Sequence, residues 1–209
     1  MDRLIERYPA LAAARGAIQS VYGIIRDTYL RGGKLLICGN GGSCADAQHI
    51  VGELMKGFYL KRPLPGAERA ALADALGEGG AELAGMLQGS LPAIALSEHS
   101  ALNTAFANDV DASLAFAQQV VGYGRPGDTL LGISTSGNAR NVLLAARAAR
   151  ARGLGVAALT GGTGGMLSKA ADAAIVVPAS VTADAQELHL PVYHTLCAML
   201  EERFFGLSE

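Results

Sequence analysis

The sequence predicts an α/β fold in which helices cover both faces of a five-stranded parallel sheet. Short apolar runs alternate with longer segments of helical periodicity, and this alternation is typical of a sheet buried on both sides. The chain has 209 residues, 50% apolar and 17% charged, which suits one domain with a full core and is short for two. We therefore expect a single domain over 1–209, with ligands beyond the carboxyl ends of the strands.

Five short apolar runs are the predicted strands. Each is five or six residues long and is bounded by glycine, proline or polar residues, as is typical of buried strands. The runs are 34–38, 92–96, 129–133, 155–160 and 173–178.

The intervening segments carry apolar residues at intervals of three, four and seven, which is the periodicity of helices. The first of them covers 9–31 and ends at Gly32 and Gly33, a typical helix terminator. Small residues are abundant and allow close helix packing, so we expect this helix to take part in subunit contacts. The other predicted helices are 43–58, 111–123, a segment beginning after Asn138, and 182–204.

Residues 61–90 differ in composition from the rest of the chain. A turn at 61–66 leads into alanine- and glutamate-rich sequence that Gly77, Gly79 and Gly80 interrupt. We interpret this segment as a helical insertion within the domain.

Composition and charge exclude several classes of function. The formal net charge is −2, so no nucleic-acid or acidic-membrane surface is expected. The N-terminus has no signal-peptide pattern, and no apolar run approaches the ~18 residues that span a bilayer. Three cysteines without a CxxC pair argue against a disulfide framework and favour a reducing, cytoplasmic location.

The pair His49 and Glu53 follows the glycine-rich loop 38–43 at the end of the first strand. Residues four apart share one helix face, so an imidazole and a carboxylate project together from the first turns of this helix. A strand, a glycine loop and a helix N-terminus together present N–H groups to an anion. The segment therefore predicts a phosphate site beside a potential metal ligand and a potential base.

A second candidate phosphate loop is 134–138, at the end of the third strand. Ser134, Thr135 and Ser136 place three hydroxyls at a helix start, where each can donate to a phosphate oxygen. Neither loop contains lysine or arginine, which suits a sugar phosphate more than a nucleoside triphosphate. A dinucleotide site is disfavoured, because its glycine pattern requires glycine where Cys44 stands and its ribose-binding acid is missing.

The C-terminal helix offers Gln186, His189 and His194 as further ligands or acid–base groups. In a straight helix Gln186 and His194 lie about 12 Å apart along the axis. Two ligands of one zinc ion bring their donor atoms within roughly 4 Å. Either Pro191 bends the helix, or the two residues serve sites shared between subunits, which would indicate an oligomer.

These motifs together resemble the bacterial sedoheptulose 7-phosphate isomerase (phosphoheptose isomerase) family of the sugar isomerase (SIS) domain superfamily. The matching segments cover the chain from about residue 32 to its end, apart from 61–90. They are 38–43, 46–53, 107–109, 127–138, 159–161, 186–189 and His194.

The resemblance implies a flavodoxin-like three-layer sandwich, a homotetramer with active sites at subunit interfaces, and one Zn²⁺ per site. The implied metal ligands are His49, Glu53, Gln186 and His194, with Glu53 and His194 as the acid–base pair. Substrate contacts are assigned to Asn40, Gly41, Gly42, Ser43, Asn108, Asp109, Ser134, Thr135, Ser136 and Gln186.

The expected reaction is the ketose–aldose conversion of sedoheptulose 7-phosphate to D-glycero-D-manno-heptose 7-phosphate through an enediol. Two alternatives stay open. Ala139 stands where the family's loop usually has serine, and the 61–90 insertion is longer than usual, so another phosphosugar is one alternative. The other is a non-catalytic SIS-domain protein that binds the replication initiator, although Glu53 and His194 are both present here.

Overall fold

The computed structural model describes residues 1–206 and confirms the predicted fold class: five parallel strands form one sheet between two layers of helices. Each predicted run coincides with one strand, although β3 and β4 extend one residue beyond theirs, and the strands pair in the order β2-β1-β3-β4-β5. Their bounds are Leu35–Cys38 (β1), Ala93–Ala95 (β2), Thr129–Ser134 (β3), Gly155–Gly161 (β4) and Ala173–Val177 (β5). Residues 207–209 of the predicted domain lie outside the described residues.

The strand order places a topological switch between β1 and β3. The chain crosses from β1 to β2 on one side and then returns over β1 to β3 on the other. Ligands of such sheets bind in the crevice beyond the carboxyl ends of the strands at the switch. The loops that follow Cys38 and Ser134, which are the two predicted phosphate loops, flank this crevice.

Four α-helices lie on the face of the sheet that carries the larger core. Their buried apolar residues, among them Ile25, Leu54 and Leu200, pack with the side chains of that face of the sheet. The helices are Asp2–Arg7 (α1), Arg15–Leu30 (α2), Gly42–Met55 (α3) and Thr182–Phe205 (α10), the last of which follows a short loop after β5. The predicted helix 9–31 begins with a 3₁₀ segment, Pro9–Ala14, with proline in the first turn, where its missing N–H is tolerated.

The insertion is helical, as predicted, and lies beside the domain. It forms α4 (Gly66–Leu76) and α5 (Gly80–Met86), which pack on each other and bury almost no large apolar side chain. An antiparallel bridge between Pro63 and Gln88 closes its base.

The opposite face of the sheet carries a second, smaller core built around Leu36, Phe116 and Val156. Two of its short helices, α6 and α9, have no predicted counterpart. The helices of this layer are Ser100–Phe106 (α6), Ala115–Tyr123 (α7), Arg140–Ala151 (α8) and Gly165–Ala170 (α9). Within residues 1–206 no helix combines the length and apolarity that crossing a bilayer requires.

Candidate active site

The two predicted phosphate loops are tied together by a reciprocal pair of side-chain amides. Asn40 donates from Nδ2 to Asn141 Oδ1 at 2.9 Å, and Asn141 donates back to Asn40 Oδ1 at 2.8 Å. Asn141 lies in the first turn of α8, directly after the second loop. The pair therefore fixes the two loops across the crevice between β1 and β3.

The first loop presents backbone groups to solvent. Asn40, Gly41 and Gly42 are exposed, and α3 begins at Gly42. The Ser43 and Cys44 N–H groups donate to the Asn40 and Gly41 carbonyls, which leaves the Gly41 and Gly42 N–H groups at the helix start for a ligand. Such a helix start attracts anions. The Ser43 side chain differs, since Ser43 is buried at 3% exposure beneath the loop.

The second loop is held in shape by its own turn and by the start of α9. Gly137 has φ +65°, and a Cβ there would collide with the Gly164 carbonyl, so only glycine fits. Asn138 accepts a hydrogen bond from the Met166 N–H at 3.0 Å. The exposure of the three predicted hydroxyl side chains increases away from the sheet: Ser134 is buried at the strand end, Thr135 is partly exposed and Ser136 is exposed.

His49, Glu53 and His194 form one polar cluster. His49 Nε2 lies 3.1 Å from Glu53 Oε1 and 3.4 Å from His194 Nε2. The second Glu53 oxygen is buried without a hydrogen-bond partner, with the Lys56 ammonium 3.6 Å away. The structure thus brings together the His/Glu pair of α3 and the histidine of α10, as the sequence predicts for acid–base groups of one site.

The environment of His194 favours its neutral form. Burial lowers the pKa of its imidazole, and the neighbouring His49 lowers it further, against the opposing effect of Glu53. The Phe58 ring packs against the His194 imidazole with centroids 5.4 Å apart. A neutral imidazole beside a carboxylate is able to exchange protons with a substrate near neutral pH.

A buried ion pair behind this cluster was not predicted from the sequence. The Arg62 guanidinium donates to Glu201 Oε1 at 2.8 Å, to the Leu54 carbonyl at 2.7 Å and to the Glu53 carbonyl at 2.9 Å. Arg62 therefore caps the C-terminus of the helix that carries the His/Glu pair. Its only sequence signal is an arginine in a connector, which ordinarily indicates a solvated side chain.

Glu201 completes that anchor from α10. Its carboxylate accepts hydrogen bonds from the Phe58, Tyr59 and Leu60 N–H groups at 2.7, 2.7 and 3.1 Å. Burial alone raises the pKa of this carboxyl, but these N–H groups and Arg62 outweigh it and hold the pKa below its ordinary value. The anchor fixes the segment that places Phe58 on His194.

Gln186 lies apart from the cluster within one chain. Its amide packs against Gly42 at the start of α3, whereas Tyr193, seven residues later, contacts His49. Helices α3 and α10 run side by side in the same direction, so these contacts are about 10 Å apart at 1.5 Å per residue. Helix α10 continues through Pro191 without a break. The placing of Gln186 in the ligand set stays a prediction.

The remaining predicted residues occupy other places. Asn108 and Asp109 lie in a π-helical turn, Ala107–Asp111, beyond β2, where Asn108 donates to Asp109 at 2.8 Å and both are exposed. They share the carboxyl edge of the sheet with the loops, and their substrate role stays a prediction. His189 is fully buried, and burial lowers the pKa of its imidazole.

His49 Nε2 lies within hydrogen-bonding distance of both Glu53 and His194, and two ligands of one metal ion can have a similar separation. Ligands of a tetrahedral ion with bonds near 2 Å are about 3.3 Å apart, close to both His49 distances. The second Glu53 oxygen has no hydrogen-bond partner and already faces a cation, the Lys56 ammonium at 3.6 Å. In the part of the chain that the structure describes, no three His, Cys, Asp or Glu side chains are arranged so that they could hold a metal ion together.

Comparisons with known proteins agree on one family. The SIS domain family model matches residues 67–161. The chain is 36% identical to the phosphoheptose isomerase of Akkermansia muciniphila, over 97% of this chain and 94% of that protein. It is 39% identical to that of Rhodospirillum rubrum, over 89% and 85% respectively. The solved phosphoheptose isomerase of Neisseria gonorrhoeae covers 96% of both chains, with a TM-score of 0.74 and 31% identity.

Proposed function

The chain belongs to the phosphoheptose isomerase family of SIS-domain proteins and is an aldose–ketose isomerase, and on that premise we propose that it converts sedoheptulose 7-phosphate to D-glycero-D-manno-heptose 7-phosphate. The observation that carries this proposal is the cluster of Glu53 and His194 around His49. His49 and Glu53 lie on α3, the helix that begins at the first of the two anion-binding loops.

The loops supply the phosphate end of the site. Both present neutral donors, namely the N–H groups of Gly41 and Gly42 and the hydroxyls of Ser134, Thr135 and Ser136. Helix starts favour the phosphate dianion without a cationic side chain. The Asn40–Asn141 pair holds the loops at a fixed separation, so the phosphate orients the sugar chain toward the cluster.

The cluster supplies the proton transfers. Isomerisation moves a hydrogen between adjacent carbons through an enediol, so one group takes a proton from carbon and another serves the oxygens. Glu53, largely shielded and paired with His49, is the proposed base. His194, whose pKa burial lowers, is the proposed partner that gives and takes the oxygen-bound proton.

His49, Glu53 and His194 are also the residues proposed to hold one Zn²⁺, with Gln186 as a fourth ligand. The two His49 donor spacings and the orphaned Glu53 oxygen support this assignment. When bound, the ion supplies polarisation of the substrate carbonyl. Glu53 then has two assignments, and its two oxygens have different surroundings: one faces His49 and the other has no hydrogen-bond partner.

We further propose a homotetramer whose active sites lie between subunits. The separation of Gln186 from the cluster within one chain, on an uninterrupted α10, supports a site completed by a second copy. A groove of about 670 Å³ runs between the N-terminal helices and α10, with His194 at its edge and apolar residues such as Leu4 and Met199 in its wall. Tyr22 of the predicted helix 9–31 lines this groove, and the other N-terminal residues in its wall lie within 1–8.

A cytoplasmic location is part of the proposal, supported by the three unpaired cysteines, Cys38, Cys44 and Cys197. An isomerase of another phosphosugar is the second candidate. It is favoured by Ala139, which precedes α8 and supplies no side-chain cap or hydroxyl at the phosphate loop.

The test is a direct assay of the purified protein with sedoheptulose 7-phosphate, with and without added zinc, followed by NMR of the sugars. We expect conversion to the manno-configured heptose 7-phosphate, and turnover slowed roughly 10²- to 10⁴-fold in Glu53→Gln and His194→Gln. Glu82→Gln, an exposed change on α5, is the matched control and should retain full activity. Turnover near wild type in both site variants would refute the assignment; conversion of other phosphosugars alone would favour the second candidate.

A further inference from the structure

A cation stands at the end of α8 where the helix dipole is positive. Arg140 is the first residue of α8, and no acidic side chain lies in the first turn of that helix. Cations are stabilising near the C-terminus of a helix and unfavourable at its N-terminus. Arg140 is exposed, and none of the ion pairs among residues 1–206 includes it. The contacts of the chain therefore give no reason for an arginine at this position.

The backbone groups beside Arg140 also lack partners. Ala139 is the N-cap of α8 and supplies no side-chain cap, and within residues 1–206 the N–H groups of Arg140 and Asn141 have no hydrogen-bond acceptor. The next N–H, that of Val142, donates to the Asn141 side chain at 3.0 Å. An anion at this helix start would accept hydrogen bonds from the two free N–H groups.

A buried hydroxyl without a partner lies on the same side of the sheet. Ser134 is 6% exposed, and its hydroxyl makes no hydrogen bond with any other group of residues 1–206. Side chains alternate between the faces of a strand, and Gly132, two residues earlier on β3, faces Val142 of α8. Ser134 therefore faces the α8 layer, at the strand end where the loop into α8 begins. A buried hydroxyl without a partner is unfavourable, and a bound ligand would supply the partner.

Arg140 is also near the turn that carries Asn108 and Asp109. That turn ends at Asp111, whose carboxylate accepts a hydrogen bond from the Ser113 N–H at 2.7 Å. The pKa of the Asp111 carboxyl is lowered mainly by Ser113 and to a smaller extent by Arg140. Asp111 is thus close enough to sense the charge of Arg140 but does not form an ion pair with it, which leaves the guanidinium for a ligand.

We propose that Arg140 is a phosphate-binding residue of the active site. Its guanidinium, the N–H groups of Arg140 and Asn141, and the Ser134 hydroxyl would contact one phosphate group together. Arginine suits this role, because its planar guanidinium donates two parallel hydrogen bonds to phosphate oxygens. The inference rests on the proposed function, in which the loop 134–138 holds the phosphate. It adds a cation to a site otherwise built of neutral donors.

The first test measures the binding of inorganic phosphate to metal-free protein by titration calorimetry at fixed pH and ionic strength. Losing one charged hydrogen-bond donor weakens binding by roughly 10- to 100-fold, which is the expected change in Arg140→Gln. Arg140→Lys keeps the charge and should lose less affinity.

Arg147→Gln is the matched control for this titration. Arg147 lies two turns later on α8, is exposed and makes no ion pair among the described residues, so the same charge is removed away from the loop. Its phosphate affinity should stay near that of the wild type. Equal affinity in Arg140→Gln and Arg147→Gln, or no phosphate binding by the wild type, would overturn the proposal.

A second measurement separates ligand binding from a structural role. Without phosphate, Arg140→Gln should unfold at the same urea concentration as the wild type, because Arg140 has no partner whose loss would destabilise the folded chain. With phosphate, the unfolding midpoint should rise more in the wild type than in Arg140→Gln. A variant that is less stable without phosphate, yet gains as much from phosphate as the wild type, would assign Arg140 to folding and overturn the proposal.

The third test uses the sugar phosphate itself. A contact with the phosphate is made equally before and during the proton transfers, so Arg140→Gln should raise KM roughly 10- to 100-fold and leave kcat near wild type. A fall in kcat at unchanged KM would overturn the proposal. If the wild type binds phosphate through Arg140 but does not convert sedoheptulose 7-phosphate, the proposed function fails and the role of Arg140 stands.

Discussion

Replacing Arg62 by methionine should be among the most destabilising single changes in this chain. The side chains of Arg62 and Glu201 are 0% and 1% exposed, and Arg62 also donates to two carbonyls at the end of α3. Arg62→Met keeps the length of the side chain but leaves the Glu201 carboxylate buried without its cation. Breaking a buried ion pair from one side costs about 3–5 kcal/mol.

This cost is a large fraction of a typical total stability of about 5–15 kcal/mol. With a urea m-value of about 2 kcal/mol/M, a loss of about 4 kcal/mol lowers the unfolding midpoint by about 2 M. The assay is urea unfolding at pH 7 and fixed protein concentration. If Arg62→Met gives no soluble protein, Glu201→Gln keeps the shape of the anchor and should show a smaller loss in the same direction.

The matched control is Arg150→Met, which removes an arginine from an exposed pair. Arg150 lies 2.7 Å from Asp172, and the two side chains are 55% and 43% exposed. Exposed pairs contribute about 0–1 kcal/mol, so this variant should stay near the wild type. Equal midpoints for Arg62→Met and Arg150→Met would refute the reasoning, because burial would then make no difference.

Two further predictions concern Glu201 and the loop pair. The folded protein keeps Glu201 ionised at pH values where the unfolded chain binds a proton. The contribution of Glu201 to the free energy of unfolding is therefore full above the ordinary glutamate pKa of about 4.3 and disappears as pH falls through the lowered folded value. The difference in free energy of unfolding between wild type and Glu201→Gln, measured from pH 7 to pH 3, should narrow only in acid, and a constant difference would contradict this. Asn141→Ala removes two exposed amide hydrogen bonds worth about 1 kcal/mol together. The KM for the sugar phosphate should therefore rise about fivefold while kcat is retained. A lower kcat at unchanged KM would contradict a role of Asn141 in holding the phosphate loops.

The sheet and the long helices could be predicted because their apolar residues repeat with the period of the element. Helix α3 ends at Met55 instead of near Phe58, since residues 58–60 turn to donate their N–H groups to Glu201. Helices α6 and α9 escaped prediction because seven and six residues hold fewer than two turns of any pattern.

The site likewise contains residues that local sequence patterns predict and residues that they do not. The two loops follow strands and carry local glycine and hydroxyl signals, so their positions could be predicted from sequence. The Arg62–Glu201 contact joins residues 139 positions apart, and no local pattern indicates it. The contact of Tyr193 with His49 was missed for a related reason: a tyrosine on a helix ordinarily indicates core packing, and the sequence does not show that its hydroxyl reaches His49.

Helix α10 touches α3, or the segment leaving it, through Gln186, Tyr193 and Glu201, at intervals of seven and eight residues. These intervals are close to two helical turns, so the three contacting residues lie on one side of α10. Removing or adding one residue between 186 and 201 would rotate the rest of that side by about 100° and detach its later contacts together. Related chains are therefore expected to vary in composition along this stretch and to keep its length, whereas the two helices of the excursion, α4 and α5, are free to change in both.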